Sequence, residues 1–147
     1  MKRIGIIGAM DEEVDRLKKN MQLEKIEKKA GMEFFAGVLS SKNVVVVRSG
    51  IGKVNAGICT QILVDDFQVD GVINTGIAGS LKNEINIGDI VLSMDCLQHD
   101  MDATGFGYEL GVIPRMEQSI FKADKMLIDI AQKVNKEVNP DISSYVG

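Results

Sequence analysis

The sequence predicts an α/β fold in which helices flank a central sheet that is largely parallel or mixed. Short β-branched runs that end in glycine alternate with stretches whose apolar residues recur at helical spacing. Residues 44–47 are four successive valines, which is typical of a strand covered on both faces. The alternation favours parallel pairing, because a helix can carry the chain back across the sheet. The composition has no linker-like stretch, and we predict one domain over residues 1–147.

The predicted strands are short, and most are rich in β-branched residues. They span residues 4–8, 33–39, 43–48, 71–75 and 89–93. A polar turn at residues 40–42 joins the second strand to the third. Residues 96–119 show no clear periodicity, so we predict no regular element there.

Three stretches predict helices, at residues 11–21, 54–66 and 123–138. The first begins with acids, which complement the positive end of the helix dipole. Its inward positions are Val14, Leu17 and Met21. The second directs Ile58, Ile62 and Leu63 toward the core. The third has one apolar stripe, formed by Leu127, Ile130, Ala131, Val134 and Val138.

Charge and composition exclude several classes of function. The formal net charge of −4 argues against general binding to nucleic acids or anionic membranes. The apolar runs are far shorter than a bilayer span. The apolar run at residues 4–9 resembles the start of a signal peptide, but the acids at residues 11–13 end it too early. Two cysteines do not make a disulfide framework. We therefore expect a cytoplasmic protein that binds neither nucleic acid nor membrane.

Three loops that contain glycine follow predicted strands, at residues 8–13, 49–53 and 76–80. Ligands of open α/β sheets bind beyond the carboxyl ends of the strands, so we predict a pocket along this rim. The glycine spacings fit neither a phosphate-binding P-loop nor a dinucleotide fingerprint. Two interpretations of Gly50 and Gly52 in the second loop stay open: a tight strand-to-helix turn, or a close approach of the backbone to another group.

The first loop ends in Asp11, Glu12 and Glu13. Successive helical residues lie about 100° apart, so only one of the two glutamates can point strongly into a crevice. Two interpretations remain open. The acids complement the helix dipole, or one of them is a base at the mouth of the sheet that takes a proton from water.

Residues 96–102 contain potential metal ligands without a metal-binding pattern. Cys96 and His99 lack the second pair of ligands that a zinc site requires. A Cys–His nucleophile pair is not expected either, because both residues would act from one short stretch. We predict no metal and no cofactor.

Together these segments resemble the bacterial methylthioadenosine/S-adenosylhomocysteine nucleosidases, which belong to the nucleoside phosphorylase superfamily. The similar blocks occur in the family's order and spacing at residues 1–14, 49–54, 74–79, 87–91 and 99–114. The resemblance implies a nucleoside phosphorylase-like fold. It also implies hydrolysis of the bond between adenine and a 5′-thio-substituted ribose, a reaction of methionine salvage.

The resemblance implies that Glu13 activates the hydrolytic water. The positions that match the family's substrate-binding residues are Ala9, Met10, Ile51, Ile77, Ala78, Gly79, Ala103, Phe106 and Pro114. Among these, Ile51 resembles a wall of the 5′-thio pocket, and residues 77–79 match the segment along adenine and ribose. The family often has serine where Ile77 stands. Phe106 and Pro114 resemble residues that reach the neighbouring subunit's 5′ pocket, which implies a homodimer.

Two other functions stay open. A purine nucleoside phosphorylase relative would have to bind a phosphate dianion, normally with arginine and backbone amides. The first loop offers acids instead, and Arg48 is the only arginine beside a candidate loop. The second alternative is a noncatalytic nucleoside-binding or interaction protein.

The resemblance further implies that a C-terminal part of the family fold is missing from these 147 residues. The family's Met-Glu pair, which holds the ribose, and its Ser-Asp pair, whose aspartate protonates adenine, have no match beyond Gly111. We therefore expect this chain by itself to be nearly inactive. We also expect it to self-associate or to be poorly stable, because core faces and a sheet edge would be uncovered.

Overall fold

The structure is a computed structural model that describes residues 1–147. The chain forms two compact units, Met1–Gly79 and Ser80–Gly147. Each unit has its own strands and its own helix or helices. The organisation of residues 1–147 as one domain stays a prediction.

The first unit is built on a five-stranded mixed sheet. Its strands are β1 (Arg3–Gly8), β2 (Gln22–Lys29), β3 (Met32–Leu39), β4 (Lys42–Arg48) and β5 (Gly71–Asn74). They lie in the order β2-β3-β4-β1-β5. β1 runs parallel to both β4 and β5, whereas β3 runs antiparallel to β2 and β4. The predicted sheet, including its mixed character, is confirmed.

Helices α1 (Asp11–Asn20) and α2 (Lys53–Asp65) cover opposite faces of this sheet. The valines at positions 44 and 46 share a core cluster with Val14 of α1, and those at 45 and 47 share one with Leu63 of α2. This division follows from the geometry of a strand, whose successive side chains point to opposite faces. All four valines are buried, so the prediction of a strand covered on both faces is confirmed.

One inward position of α2 is predicted wrongly. Ile58 is 43% exposed, and Cys59 beside it is fully buried against the sheet. Cys59 and Leu63 are four residues apart and therefore lie on the same helix face, whereas Ile58 is turned away from that face. Burial raises the pKa of the Cys59 thiol to about 11.

β2 is absent from the predicted elements. Its sequence, QLEKIEKK, is mostly charged, and it forms the edge of the sheet beside β3. Charged side chains on an edge strand protect against pairing with another chain, but they obscure the strand pattern. The connection to β3 uses Ala30 and Gly31, whose φ angles are 49° and 77°. Two successive residues with positive φ are typical of the tight hairpin turns that match strand twist.

The second unit contains shorter elements around one long helix. Its elements are β6 (Ile90–Leu92), β7 (Asp95–Cys96), a 3₁₀ turn (Thr104–Phe106), β8 (Phe121–Lys122), α3 (Lys125–Val138) and β9 (Ser144–Val146). β6 pairs parallel with β9, and β7 pairs antiparallel with β8. The predicted strand at 89–93 and the predicted helix at 123–138 are therefore present, with slightly shorter bounds. No helix in the chain is long and apolar enough to cross a bilayer.

The predicted apolar stripe of α3 is only partly buried. Ile130, Val134 and Val138 are 51%, 46% and 68% exposed. The buried residue of the helix is Asn135, whose side-chain amide donates to the carbonyl oxygen of Ile142 at 2.9 Å. A polar side chain tolerates burial when its hydrogen bonds are satisfied, which explains how this face can point inward.

Candidate active site

The three glycine loops start at one edge of the first sheet. β1, β4 and β5 are parallel neighbours, so their carboxyl ends meet at the same edge. Hydrogen bonds continue the pairing past the strand ends: the Ser49 N–H donates to the Gly8 carbonyl oxygen at 2.9 Å, and the Thr75 N–H donates to that of Ile7 at 2.8 Å. The sequence prediction of a common rim is therefore confirmed for these loops.

Glu13 ties the first loop to the third. Its Oε2 atom accepts hydrogen bonds from the backbone N–H groups of Ala9 at 2.6 Å and Met10 at 3.0 Å. Its Oε1 atom accepts one from the N–H of Ile77 at 3.3 Å. Glu12 is exposed, whereas Glu13 is partly buried. Of the two glutamates, Glu13 is the one that points into the rim.

These contacts keep the Glu13 carboxylate ionised. The N–H of Met10 contributes most to lowering its pKa below the usual 4.5, and those of Ile77 and Ala9 add to this, while desolvation opposes it. The carboxylate also lies in the first turn of α1, where the helix dipole favours negative charge. At neutral pH the group therefore carries a fixed negative charge and acts as a hydrogen-bond acceptor.

Two glycines make room for this carboxylate. A Cβ atom on Gly76 would lie 2.6 Å from Glu13 Oε1. A Cβ atom on Gly8 would lie 2.9 Å from the Glu13 Cβ and 2.7 Å from the Val14 Cγ1. Both glycines therefore allow a close approach that a larger residue would block. The group that is approached is the glutamate itself.

A cavity of about 310 Å³ opens at the rim. It brings together three of the predicted substrate-binding residues, Ala9, Met10 and Ile51, with Gly50. Its remaining lining residues are Asp11, Glu12 and Arg48. The sequence analysis does not predict that these three charged residues line a cavity. The only signal for it is that Arg48 is the one arginine beside a candidate loop.

The third loop is exposed after its contact with Glu13. Ile77 donates its N–H to Glu13, yet its residue surface is 84% exposed. Ala78 and Gly79 are also exposed, and a Cβ atom on Gly79 would have no neighbour within 4 Å. Such open space is compatible with a flat ligand against this backbone. Their place along adenine and ribose stays a prediction.

The other predicted binding residues belong to the second unit. Ala103 is buried, and its carbonyl oxygen accepts from the Phe106 N–H at 2.9 Å within the 3₁₀ turn. Phe106 is 87% exposed and Pro114 is partly buried. Their roles beside a partner's 5′ pocket stay predictions. No group of three or more histidine, cysteine, aspartate or glutamate side chains is placed to hold a metal ion.

Comparison with known proteins defines the class. Residues 3–147 match the sequence model described as the phosphorylase superfamily, and the chain belongs to that superfamily. It is similar to a 5′-methylthioadenosine/S-adenosylhomocysteine nucleosidase of Bacillus cytotoxicus, with 46% identity over 135 residues. The aligned region covers 92% of this chain and 58% of that relative. The predicted resemblance to these nucleosidases is confirmed.

Solved structures show the same likeness. The nucleosidase of Colwellia psychrerythraea in complex with adenine has a TM-score of 0.93 and 42% identity, covering 99% of this chain and 60% of that one. The nucleosidase of Neisseria meningitidis in complex with methylthio-immucillin-A has a TM-score of 0.92 and 34% identity, covering 99% and 63%. The chain therefore spans about three fifths of the length of the relatives it matches.

Proposed function

We propose that the whole protein hydrolyses the N-glycosidic bond of 5′-methylthioadenosine and S-adenosylhomocysteine and releases adenine. The observation that carries this proposal is the ionised Glu13 carboxylate, which three backbone N–H groups hold at the rim. The names of the relatives support the substrate class, since one solved nucleosidase holds adenine and another holds methylthio-immucillin-A.

The geometry of Glu13 suits this chemistry. Departure of adenine leaves positive charge on the sugar, which a nearby carboxylate stabilises. A carboxylate has about four lone-pair sites on its two oxygens. Oε2 accepts two hydrogen bonds, whereas Oε1 accepts one bond at 3.3 Å. Oε1 therefore has the capacity to accept a further hydrogen bond from a water molecule and to orient that water toward the sugar.

The proposal concerns the whole protein because hydrolysis also needs an acid. Adenine is a poor leaving group unless it is protonated, and a positioned acid contributes about 10²–10⁴ in rate. The resemblance assigns that proton to a Ser-Asp pair that has no match in residues 1–147. The expected inactivity of the 147-residue chain by itself stays a prediction.

We also propose that the protein works as a homodimer in the cytoplasm, with Phe106 and Pro114 beside the partner's site. An aromatic side chain as exposed as that of Phe106 supports an interface, because aromatic residues are enriched in buried contact surfaces. Sedimentation equilibrium of the whole protein measures this state, and a monomer at micromolar concentration would contradict the proposal.

Release of adenine by the Glu13→Gln variant tests the assignment. Glutamine keeps the size of the side chain and removes its charge, so we expect turnover of methylthioadenosine to fall about 10²–10⁴-fold. Glu24→Gln is the matched control, because Glu24 is an exposed carboxylate on the edge strand β2, outside the three rim loops. Circular dichroism and chemical unfolding of both variants show whether the fold is retained.

The products distinguish the alternatives. Hydrolysis gives adenine and 5-methylthioribose without any requirement for phosphate. Formation of a ribose 1-phosphate only when phosphate is added would assign phosphorolysis instead. Tight binding of the nucleoside with no product would assign a noncatalytic binding protein. Near-normal turnover in a folded Glu13→Gln variant would refute the role of Glu13.

A further inference from the structure

The rim cavity has two sides of different chemistry. Ala9, Met10, Gly50 and Ile51 line it with backbone and apolar surface. Its other lining residues are charged: Asp11, Glu12 and Arg48. A methylthio group would need only the apolar side. The charged side is therefore open to a different part of a ligand.

Arg48 is placed by the sheet. It is the last residue of β4 and pairs in register with Gly8 of β1, so its side chain leaves the strand where the first loop begins. Its Nε atom lies 3.2 Å from Asp11 Oδ1, and the two side chains are 49% and 58% exposed. An exposed ion pair of this kind is weak, so a ligand can rearrange it at small cost.

Asp11 forms a second ion pair, with Lys18. The Nζ atom of Lys18 lies 3.6 Å from the same Oδ1 atom. If a ligand carboxylate binds the guanidinium of Arg48, Asp11 keeps part of its compensation from Lys18, which also pairs with Asp15 at 3.5 Å. Arginine can also serve two acceptors, because its guanidinium carries five N–H donors in a fork that matches a carboxylate.

Glu12 supplies the opposite charge. It follows Asp11 in the first turn of α1, is exposed, and lines the same cavity. The cavity therefore presents one guanidinium and one further carboxylate next to Ile51. A ligand that carries both a carboxylate and an ammonium matches this pair of charges.

We propose that Arg48 and Glu12 bind the amino-acid end of a 5′-thio substituent, with Arg48 on its carboxylate and Glu12 on its ammonium group. This inference rests on the proposed function and extends it, because it makes Arg48 a residue that determines specificity for S-adenosylhomocysteine. Methylthioadenosine has no amino-acid end and does not use this contact.

The test compares two substrates on the whole protein. Arg48→Met keeps the length of the aliphatic stem and removes the charge. We expect kcat/KM for S-adenosylhomocysteine to fall about fivefold, mainly through KM, as suits a half-exposed ion pair. The value for methylthioadenosine should fall much less, so the ratio of the two kcat/KM values is the readout. Arg16→Met is the matched control, because Arg16 lies exposed on α1 and outside the cavity, and it should alter neither substrate.

A second variant and a second measurement distinguish failure of the Arg48 assignment from failure of the proposed function. Arg48→Lys retains the charge without the fork and should give an intermediate loss for S-adenosylhomocysteine only. Calorimetric binding of both nucleosides gives the same comparison without turnover. Equal losses for the two substrates, or no loss for S-adenosylhomocysteine, would overturn the assignment of Arg48. If no nucleoside is hydrolysed but the difference in binding persists, the proposed function fails and this inference stands.

Discussion

Substitution of Gly76 by alanine tests how the site holds its carboxylate. The added Cβ atom would lie 2.6 Å from Glu13 Oε1 and 3.1 Å from its Cδ atom. Contacts this short are not tolerated, so the carboxylate has to move away from the third loop. The hydrogen bond from the Ile77 N–H to Oε1, at 3.3 Å, is the first contact to be lost.

The size of the effect follows from that hydrogen bond. A hydrogen bond to a charged group contributes about 1.5–3 kcal/mol. If the transition state loses this amount, turnover falls about ten- to a hundredfold, since each 1.36 kcal/mol corresponds to about tenfold. Loss of N–H donors also raises the pKa of Glu13 toward its usual value, the reverse of the lowering that these donors cause.

Two measurements on the whole protein detect the effects of Gly76→Ala on turnover and on the pKa of Glu13. Release of adenine gives the rate, and titration of the Glu13 carboxyl by NMR gives its pKa without reference to activity. Gly57→Ala is the control, because Gly57 is exposed on α2 and an added Cβ atom there meets nothing within 4 Å. That variant should be fully active and more stable by about 0.5–1 kcal/mol. A folded Gly76→Ala protein with an unchanged rate and an unchanged pKa would refute the reasoning.

Two further predictions concern stability. The pKa of Glu13 is lowered in the folded chain, so its contribution to stability is present above the usual pKa of 4.5 and is lost as the pH falls through the folded value. The unfolding free energy, measured by urea titration between pH 6 and pH 3, should therefore fall less steeply for Glu13→Gln than for the natural sequence, and identical slopes would contradict this. Phe34 is fully buried and stacks on Phe67 with ring centroids 5.1 Å apart, so Phe34→Ala should cost about 3–5 kcal/mol in the same titration. A cost below about 1 kcal/mol would show that this pair is not part of the core.

Local patterns predict most of the first unit. The strands β1, β3, β4 and β5 and the helices α1 and α2 each lie within one residue of their predicted bounds at either end. These elements combine strong periodicity with end signals, such as the acids at residues 11–13 and the turn at residues 40–41, where both φ angles are positive. β2 is not predicted because its strand conformation depends on pairing with β3, and its own charged sequence has no strand pattern.

The second unit is predicted less well for a related reason. β7 and β8 are two residues long, and each depends on a partner about 25 residues away in the chain. Segments of two residues are too short to show the alternating hydrophobic pattern that predicts a strand. In α3 the apolar stripe is correct as a pattern, but the side chain that is buried, Asn135, owes its burial to a hydrogen bond with Ile142. A hydrophobicity pattern cannot contain that information.

The choice between Glu12 and Glu13 shows where the sequence argument needs the structure. Both are glutamates in the first turn of α1, and the residue pattern by itself does not separate them, whereas the resemblance to the nucleosidases selects Glu13. Glu13 accepts from the nearby N–H groups of Ala9 and Met10 and also from the N–H of Ile77, which lies 64 residues further along the chain. The hydrogen bond from Ile77 to Glu13 depends on the register of β1 with β5, in which Ile7 pairs with Asn74. A slip of one residue would move the third loop by about 3.3 Å, more than the tolerance of a hydrogen bond. The packing that fixes the register of the sheet therefore also fixes the position of the carboxylate at the rim.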